Sequence, residues 1–154
     1  MSALAGVGTV PVAFVGRTSS AELQDPTLSI PRQLSEVQAK LPDGFYIAAH
    51  YWDVESGALS LDNRGHGHDH ELFDVPVPRT GGLADLRRDA ASGDRAFQVV
   101  MCSSIERTAR ESVDSQWLER ELWQLRVPLL AADEPLEFDR SNPGTVLFRL
   151  HRQD

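Results

Sequence analysis

VPVAFVGRTSS, residues 10–20, sets an apolar run directly before an arginine and three hydroxyl side chains, Thr18, Ser19 and Ser20. A short run of valines with one phenylalanine and no polar interruption reads as a strand buried on both faces. The pattern predicts a strand over Val10–Gly16. Ser and Thr are ordinary turn residues at a strand end. The same place suits a nucleophile beside a phosphate-binding arginine, and the rest of the chain has to decide between the two.

Three more runs have the same character: Phe45–Trp52, Phe97–Cys102 and Val127–Ala132, each bounded by turn or cap residues. Helical spacing lies between them. Leu34, Val37, Gln38 and Leu41 share one face, with Ser29 and Pro31 near the start and Pro42-Asp43-Gly44 as the stop. Leu83, Leu86 and Ala90 mark a second helix that stops at Ser92-Gly93-Asp94. Ile105, Ala109, Val113, Trp117, Leu118, Leu122 and Leu125 mark a third, long and amphipathic. Strand alternating with helix implies a three-layer α/β domain with a mainly parallel central sheet of about four to five strands and helices on both faces. From Asp53 to Arg79 the chain has no periodicity and holds three glycines and two prolines, a loop long enough to be functional. Beyond Glu134-Pro135 it turns irregular again, and Thr145–His151 reads as the first turn of another helix.

The 154 residues suffice for one domain with a full core. The start lacks the basic residue and continuous apolar run of a signal peptide, and no stretch is long enough for a membrane span. Cys102 is the single cysteine, so no internal disulfide forms, and a cytoplasmic location is expected. A net charge of −8 excludes a surface that coats nucleic acid non-specifically. Fourteen of the fifteen basic residues are arginine, Lys40 being the exception. Arginine suits bidentate phosphate contacts, although codon bias yields the same skew.

In open parallel sheets, ligands sit beyond the carboxyl ends of the strands. Arg17 and Ser19 follow the first predicted strand, Asp53 the second, and Ser103 to Arg110 the third. Polar residues far apart in sequence thus converge on one edge. Each also has an ordinary reading: Ser19 and Ser56-Gly57 as turns, Asp53 as a turn cap, Gln33 as an exposed helix residue. Arg107 and Arg110 fit one solvated helix face near Glu106 and Glu111. Trp52, Trp117 and Trp123 read as core or subunit-contact residues.

Taken in order, these motifs resemble the serine recombinases, the resolvase/invertase group, and more closely its large integrase-like members. The likeness runs through Arg17-Thr18-Ser19, "DPTLSIPRQ" ending in Gln33, "YWDVESG" with Asp53 and Ser56, Arg79 ahead of "GGLADL", and "IERTAR" with Glu106, Arg107 and Arg110. Arg64 is the rival to Arg79 within the long loop, and the run R-x-G-G-L-A-D-L entering a helix favours Arg79. Glu106 stands where the family commonly has an aspartate. The resemblance implies a catalytic domain over residues 1–135 and a tail, 136–154, that begins the following helix. It implies DNA cleavage and rejoining, with Ser19 as the nucleophile that forms a phosphoserine link. Arg17, Arg79, Arg107 and Arg110 would clamp the scissile phosphate, and Asp53 would order them or handle protons. Gln33, Ser56 and Glu106 would support the site. It implies no metal or other cofactor, DNA as partner, and self-association into dimers and tetramers that is weak in this chain.

Two other readings stay open. One is a shortened, inactive relative that acts as an interaction or regulatory protein. The other is a small metallohydrolase centred on "HGHDH", His66 to His70, which looks like the H-x-H-x-D-H motif of metallo-β-lactamase-type enzymes with one residue missing. Alternating imidazoles with Asp69 have the composition of a zinc site. The lost residue shifts Asp69 and His70 out of phase, and a polar loop is the simpler reading.

Overall fold

Alternation along β1 (Val10–Thr18) sorts its side chains onto two faces, which become the two halves of the core. Val12 and Phe14 join Ile30 and Val37, while Ala13 and Val15 join Leu86, Leu118 and Leu122. Successive side chains of a strand point to opposite faces, so a strand covered on both must be apolar at nearly every position. The computed structural model describes residues 9–18, 25–54, 65–104, 112–134, 137–138 and 146–147. Within them the order after β1 is α1 (Pro26–Gln38), β2 (Phe45–Val54), a 3₁₀ turn (Asp69–Leu72), α2 (Leu83–Ala90), β3 (Val99–Cys102), α3 (Ser112–Gln124), β4 (Leu129–Ala131), β5 (Glu137–Phe138) and β6 (Val146–Leu147).

The main sheet has the order β2-β1-β3-β4, and every neighbouring pair is parallel. Residues of α1 pack on one face, and residues of α2 and α3 on the other, giving the three-layer α/β arrangement that the alternating runs imply. The β1–β2 register slips by one residue after the Val12–Ile47 pair, where Ala13 pairs with Ala49 and Ala48 is extra. Such a bulge moves the side chains that follow to the opposite face. Ile47 accordingly belongs with the α1 half of the core, and Ala49 with the α2/α3 half.

The structure departs from the expected boundaries in ways that bear on the site. β1 continues through Arg17 and Thr18, and β2 through Asp53 and Val54, so Arg17 and Asp53 sit in the strands and not after them. Helix α1 begins at Pro26, earlier than Ser29 or Pro31, because Asp25 caps it: Oδ1 accepts from Thr27 N at 2.9 Å and from the Thr27 hydroxyl at 2.8 Å. Pro26 fits the first helical position, where no donor is needed. Pro31 lies inside the helix. Val146–Leu147 is a strand paired antiparallel with Glu137–Phe138, where a helical turn was expected. The first third of the predicted third helix, 105–111, falls outside the described residues.

The outer edge of β2 is closed by the segment that precedes α2. His50 N donates to Thr80 Oγ1 at 3.0 Å and Trp52 N to Gly81 O at 3.1 Å. The His50 carbonyl accepts from Thr80 N, and the Trp52 carbonyl from Arg79 Nε at 2.7 Å. Among the described residues, no helix is long and apolar enough to cross a membrane.

Candidate functional site

Parallel pairing sets Arg17 of β1 directly beside Asp53 of β2 at the carboxyl edge of the sheet. Both continue the alternation that puts Ala13, Val15 and Tyr51 on the α2/α3 face. Two basic and acidic positions separated by 36 residues in sequence therefore become lateral neighbours, at the strand spacing of about 5 Å.

Asp53 is held from two sides. Its side chain is 5% exposed, Oδ1 accepts from Arg79 Nη2 at 2.9 Å, and Oδ2 accepts from Leu83 N at 2.8 Å. Leu83 is the first residue of α2, so the carboxylate neutralises one of the unpaired donors at a helix N-terminus, where negative charge is favoured. Asp85 takes up the next one, Oδ2 accepting from Gly82 N at 2.8 Å. Gly82 is glycine for a steric reason: a Cβ there would run into Asp53 Oδ1 and would come within 2.7 Å of Arg79 Nη2. The same holds at Gly81, whose Cβ would meet the Asp85 carboxylate. The "GGLADL" motif is thus the backbone approach that lets Asp53 reach α2.

Arg79 wraps the edge of β2. Besides Asp53 and the Trp52 carbonyl, its Nη1 lies 3.1 Å from His70 Nε2, and its guanidinium carbon lies 5.6 Å from the centre of the Trp52 ring. Trp52 is buried and its indole N–H donates to Pro78 O at 2.9 Å, which fixes the platform. Arg79 meets Asp53, and its rival Arg64 lies outside the described residues.

Gln33 fastens α1 to the end of β1. It is fully buried; Nε2 donates to Arg17 O at 3.0 Å and to Ser29 Oγ at 3.1 Å, while Oε1 accepts from Arg17 N at 3.2 Å. The pairing of β1 with β3 ends at Phe14–Met101, short of Arg17, and the Gln33 amide satisfies the Arg17 backbone in the manner of a strand. Gly16 leaves the room for it, since a Cβ there would come within 3.1 Å of Gln33 Oε1 and 2.8 Å of the Phe14 ring.

At the same edge the hydroxyls of Thr18 and Ser103 are buried without a hydrogen-bond partner among the described residues. Ser103 also opens on a hollow of about 480 Å³ bordered by Ser104, Asp133, Glu36 and Lys40. Both follow apolar runs in the sequence, but only the structure shows that they are buried. Ser19, Ser56, Glu106, Arg107 and Arg110 lie outside the described residues. Of the sequence-predicted residues, the structure brings together Arg17, Gln33, Asp53 and Arg79. Sequence reasoning missed His70 as their neighbour, because a nine-residue separation within an aperiodic loop carries no spatial signal. Among the described residues there is no group of His, Cys, Asp or Glu arranged to hold a metal ion. His70 Nε2 faces Arg79, and His68 Nδ1 lies 3.6 Å from Glu71. Trp117 and Trp123 are 56% and 48% exposed, so of the three tryptophans only Trp52 is core.

Comparison with solved structures places this architecture. The catalytic domain of ISC1926 TnpA, an IS607-like serine recombinase, superposes with a TM-score of 0.55 at 16% identity, covering 82% of this chain and 72% of that one. This chain has the fold of a serine recombinase catalytic domain. The N-terminal catalytic domain of TP901-1 integrase matches over 86% of this chain and 82% of that one, with a TM-score of 0.53 at 19% identity. A resolvase family site-specific recombinase from Streptococcus pneumoniae matches over 81% and 73%, with a TM-score of 0.56 at 16% identity. No protein-family model matches the sequence, and no curated protein does.

Proposed function

We propose that residues 1–135 are the catalytic domain of a site-specific serine recombinase that breaks and rejoins DNA through Ser19, with residues 136–154 as a tail beyond it. The observation that carries this reading is the lateral pairing of Arg17 with the Arg79-bound Asp53 at the carboxyl edge, two residues before Ser19 in the chain. The Ser19 Oγ attacks a backbone phosphorus, forming a serine–phosphate ester as the bond from phosphorus to one deoxyribose oxygen breaks. The serine proton leaves to a base, and the departing oxygen takes up a proton as a free hydroxyl. Rejoining is the reverse, and conservation of the phosphoester makes an external energy source unnecessary.

The transition state gathers negative charge on the phosphate oxygens, and fixed cations aimed at that charge lower the barrier most. Arg17, Arg79, Arg107 and Arg110 form that array in this reading, with permanently charged planar forks suited to phosphate. Asp53 and Glu106 orient the arginines, while Gln33 and Ser56 support the strand and loop that carry them. DNA is the partner, copies of the chain associate to hold the cut ends, and the location is cytoplasmic. Self-association and duplex binding by this acidic chain alone are weak, because few phosphates are neutralised.

The test is a covalent trap. The chain is fused to a DNA-binding domain of known target site and given a nicked duplex that lets one cut end diffuse away. A protein–DNA adduct that resists denaturant and is lost in Ser19→Ala, but kept in Ser20→Ala, supports the reading. An adduct that persists in Ser19→Ala refutes it.

A further inference from the structure

We propose that His70 is a positioning residue for Arg79, fixing the guanidinium in the one orientation that also seats Asp53 against the N-terminus of α2. The inference rests on the recombinase reading only for what this arrangement serves. Its geometry stands apart from that reading.

A guanidinium N–H can only donate, so the His70 Nε2 facing Arg79 Nη1 at 3.1 Å must be the lone-pair nitrogen. The neutral ring then carries its proton on Nδ1. The imidazole meets the Trp52 ring edge-on, with centroids 6.2 Å apart and planes at 88°, and Arg79 lies against the same indole. Imidazole, indole and guanidinium thus form one packed unit in which the histidine is 17% exposed. Three of the five guanidinium N–H groups are engaged: Nε by the Trp52 carbonyl, Nη1 by His70 and Nη2 by Asp53. Among the described residues this leaves one donor on each terminal nitrogen for an incoming phosphate.

The contact holds only while His70 is neutral. A protonated ring would turn an N–H toward an N–H and set two cations side by side. Burial is the main cause holding the His70 pKa below its ordinary value of 6.5, followed by the Arg79 charge. His68 acts in the same direction, its ring centroid 6.2 Å from that of His70. Glu71, 4.0 Å away but 63% exposed, and Asp53 oppose them. As pH falls through the His70 midpoint the ring gives up Arg79, and Asp53 loses the constraint that keeps both its oxygens in place.

The test is an NMR titration of the full chain that follows the His70 ring protons and the Leu83 amide, the latter because Leu83 N–H donates to Asp53. In the wild type, His70 should titrate below 6.5 and the Leu83 amide should shift with the same midpoint. Arg79→Gln should raise the His70 midpoint. His70→Gln, which keeps an acceptor near the place of Nε2 but does not titrate, should leave Leu83 pH-independent over that range. His70→Leu should show the displaced Leu83 resonance at every pH. A His70 midpoint unchanged in Arg79→Gln, or a Leu83 amide that ignores His70 in the wild type, overturns the proposal. If Arg79→Gln does not fold, the wild type and His70→Gln decide alone. These resonances need no DNA, so failure of the covalent trap leaves this result standing, and the reverse also holds.

Discussion

Asp53→Asn changes one atom's chemistry while preserving shape, and its cost can be worked from two hydrogen bonds. The carboxylate accepts from Arg79 Nη2 and from Leu83 N through different oxygens. An amide has one oxygen, so one donor loses its acceptor and faces the new NH₂ group instead. A hydrogen bond to a charged group contributes about 1.5–3 kcal/mol, and a buried donor left unpaired costs about 1–3 kcal/mol. Arg79 keeps its contacts to Trp52 and His70 and is 20% exposed, which lets water offset part of the loss. The expected destabilisation is about 3 kcal/mol. For a chain of this size that corresponds to a fall in Tm of roughly 6–12 °C. The domain should stay folded, since total stabilities run at about 5–15 kcal/mol. Urea unfolding followed by circular dichroism measures it, with an unchanged m-value showing that only stability moved. Asp85→Asn is the control: its side chain is 32% exposed and its cap bond lies nearer solvent, so its loss should be about 1 kcal/mol or less. Equal losses in the two variants, or a loss under about 1 kcal/mol for Asp53→Asn, would refute the claim that Asp53 is the buried hub.

Gln33→Leu should cost about 2 kcal/mol in the same assay, because the Arg17 backbone loses both its Gln33 contacts, and it should lower adduct formation in the trap by misplacing Arg17. Tyr51 donates to Asp89 at 2.7 Å, and burial first, then that carboxylate, raises its pKa well above 10.0. The sign follows: the folded state favours the protonated phenol, so its stabilisation is complete below pH 10.0 and is lost as pH rises toward the folded value. Tyr51→Phe should therefore flatten the alkaline fall in stability measured by denaturant melts from neutral pH upward. Cys102 is 1% exposed at the end of β3, so a thiol reagent should modify it only at the rate of unfolding; prompt modification of the native protein would contradict its burial.

The sheet was legible because a strand buried on both faces must be apolar throughout, and the four runs have that composition. Their carboxyl ends were harder to read: Arg17 and Asp53 interrupt the apolar pattern, yet each continues its strand by pairing with the other. The start of α1 carried a readable signal in Asp25-Pro26, a cap followed by a proline at the first position, but Pro31 offered a second plausible start. The Arg17–Gln33 and Asp53–Arg79 associations were expected only through family likeness, since no local spacing links residues 16 or 26 positions apart. The contacts of His70 and of Tyr51 with Asp89 depend on how a loop and a helix fold back over the sheet. Periodicity says nothing about that.

Capping the β2 edge has a consequence for solubility. A bare edge strand offers unpaired backbone groups on alternate residues and invites strands from other molecules. Here His50 and Trp52, two positions whose backbone groups face outward from β2, have both groups occupied by Arg79, Thr80 and Gly81. One of those four bonds comes from the Arg79 side chain itself. The arginine proposed to hold phosphate thus doubles as a plug against edge-to-edge aggregation. Variants made to silence it should precipitate more readily than variants at Arg17, which leaves that edge closed.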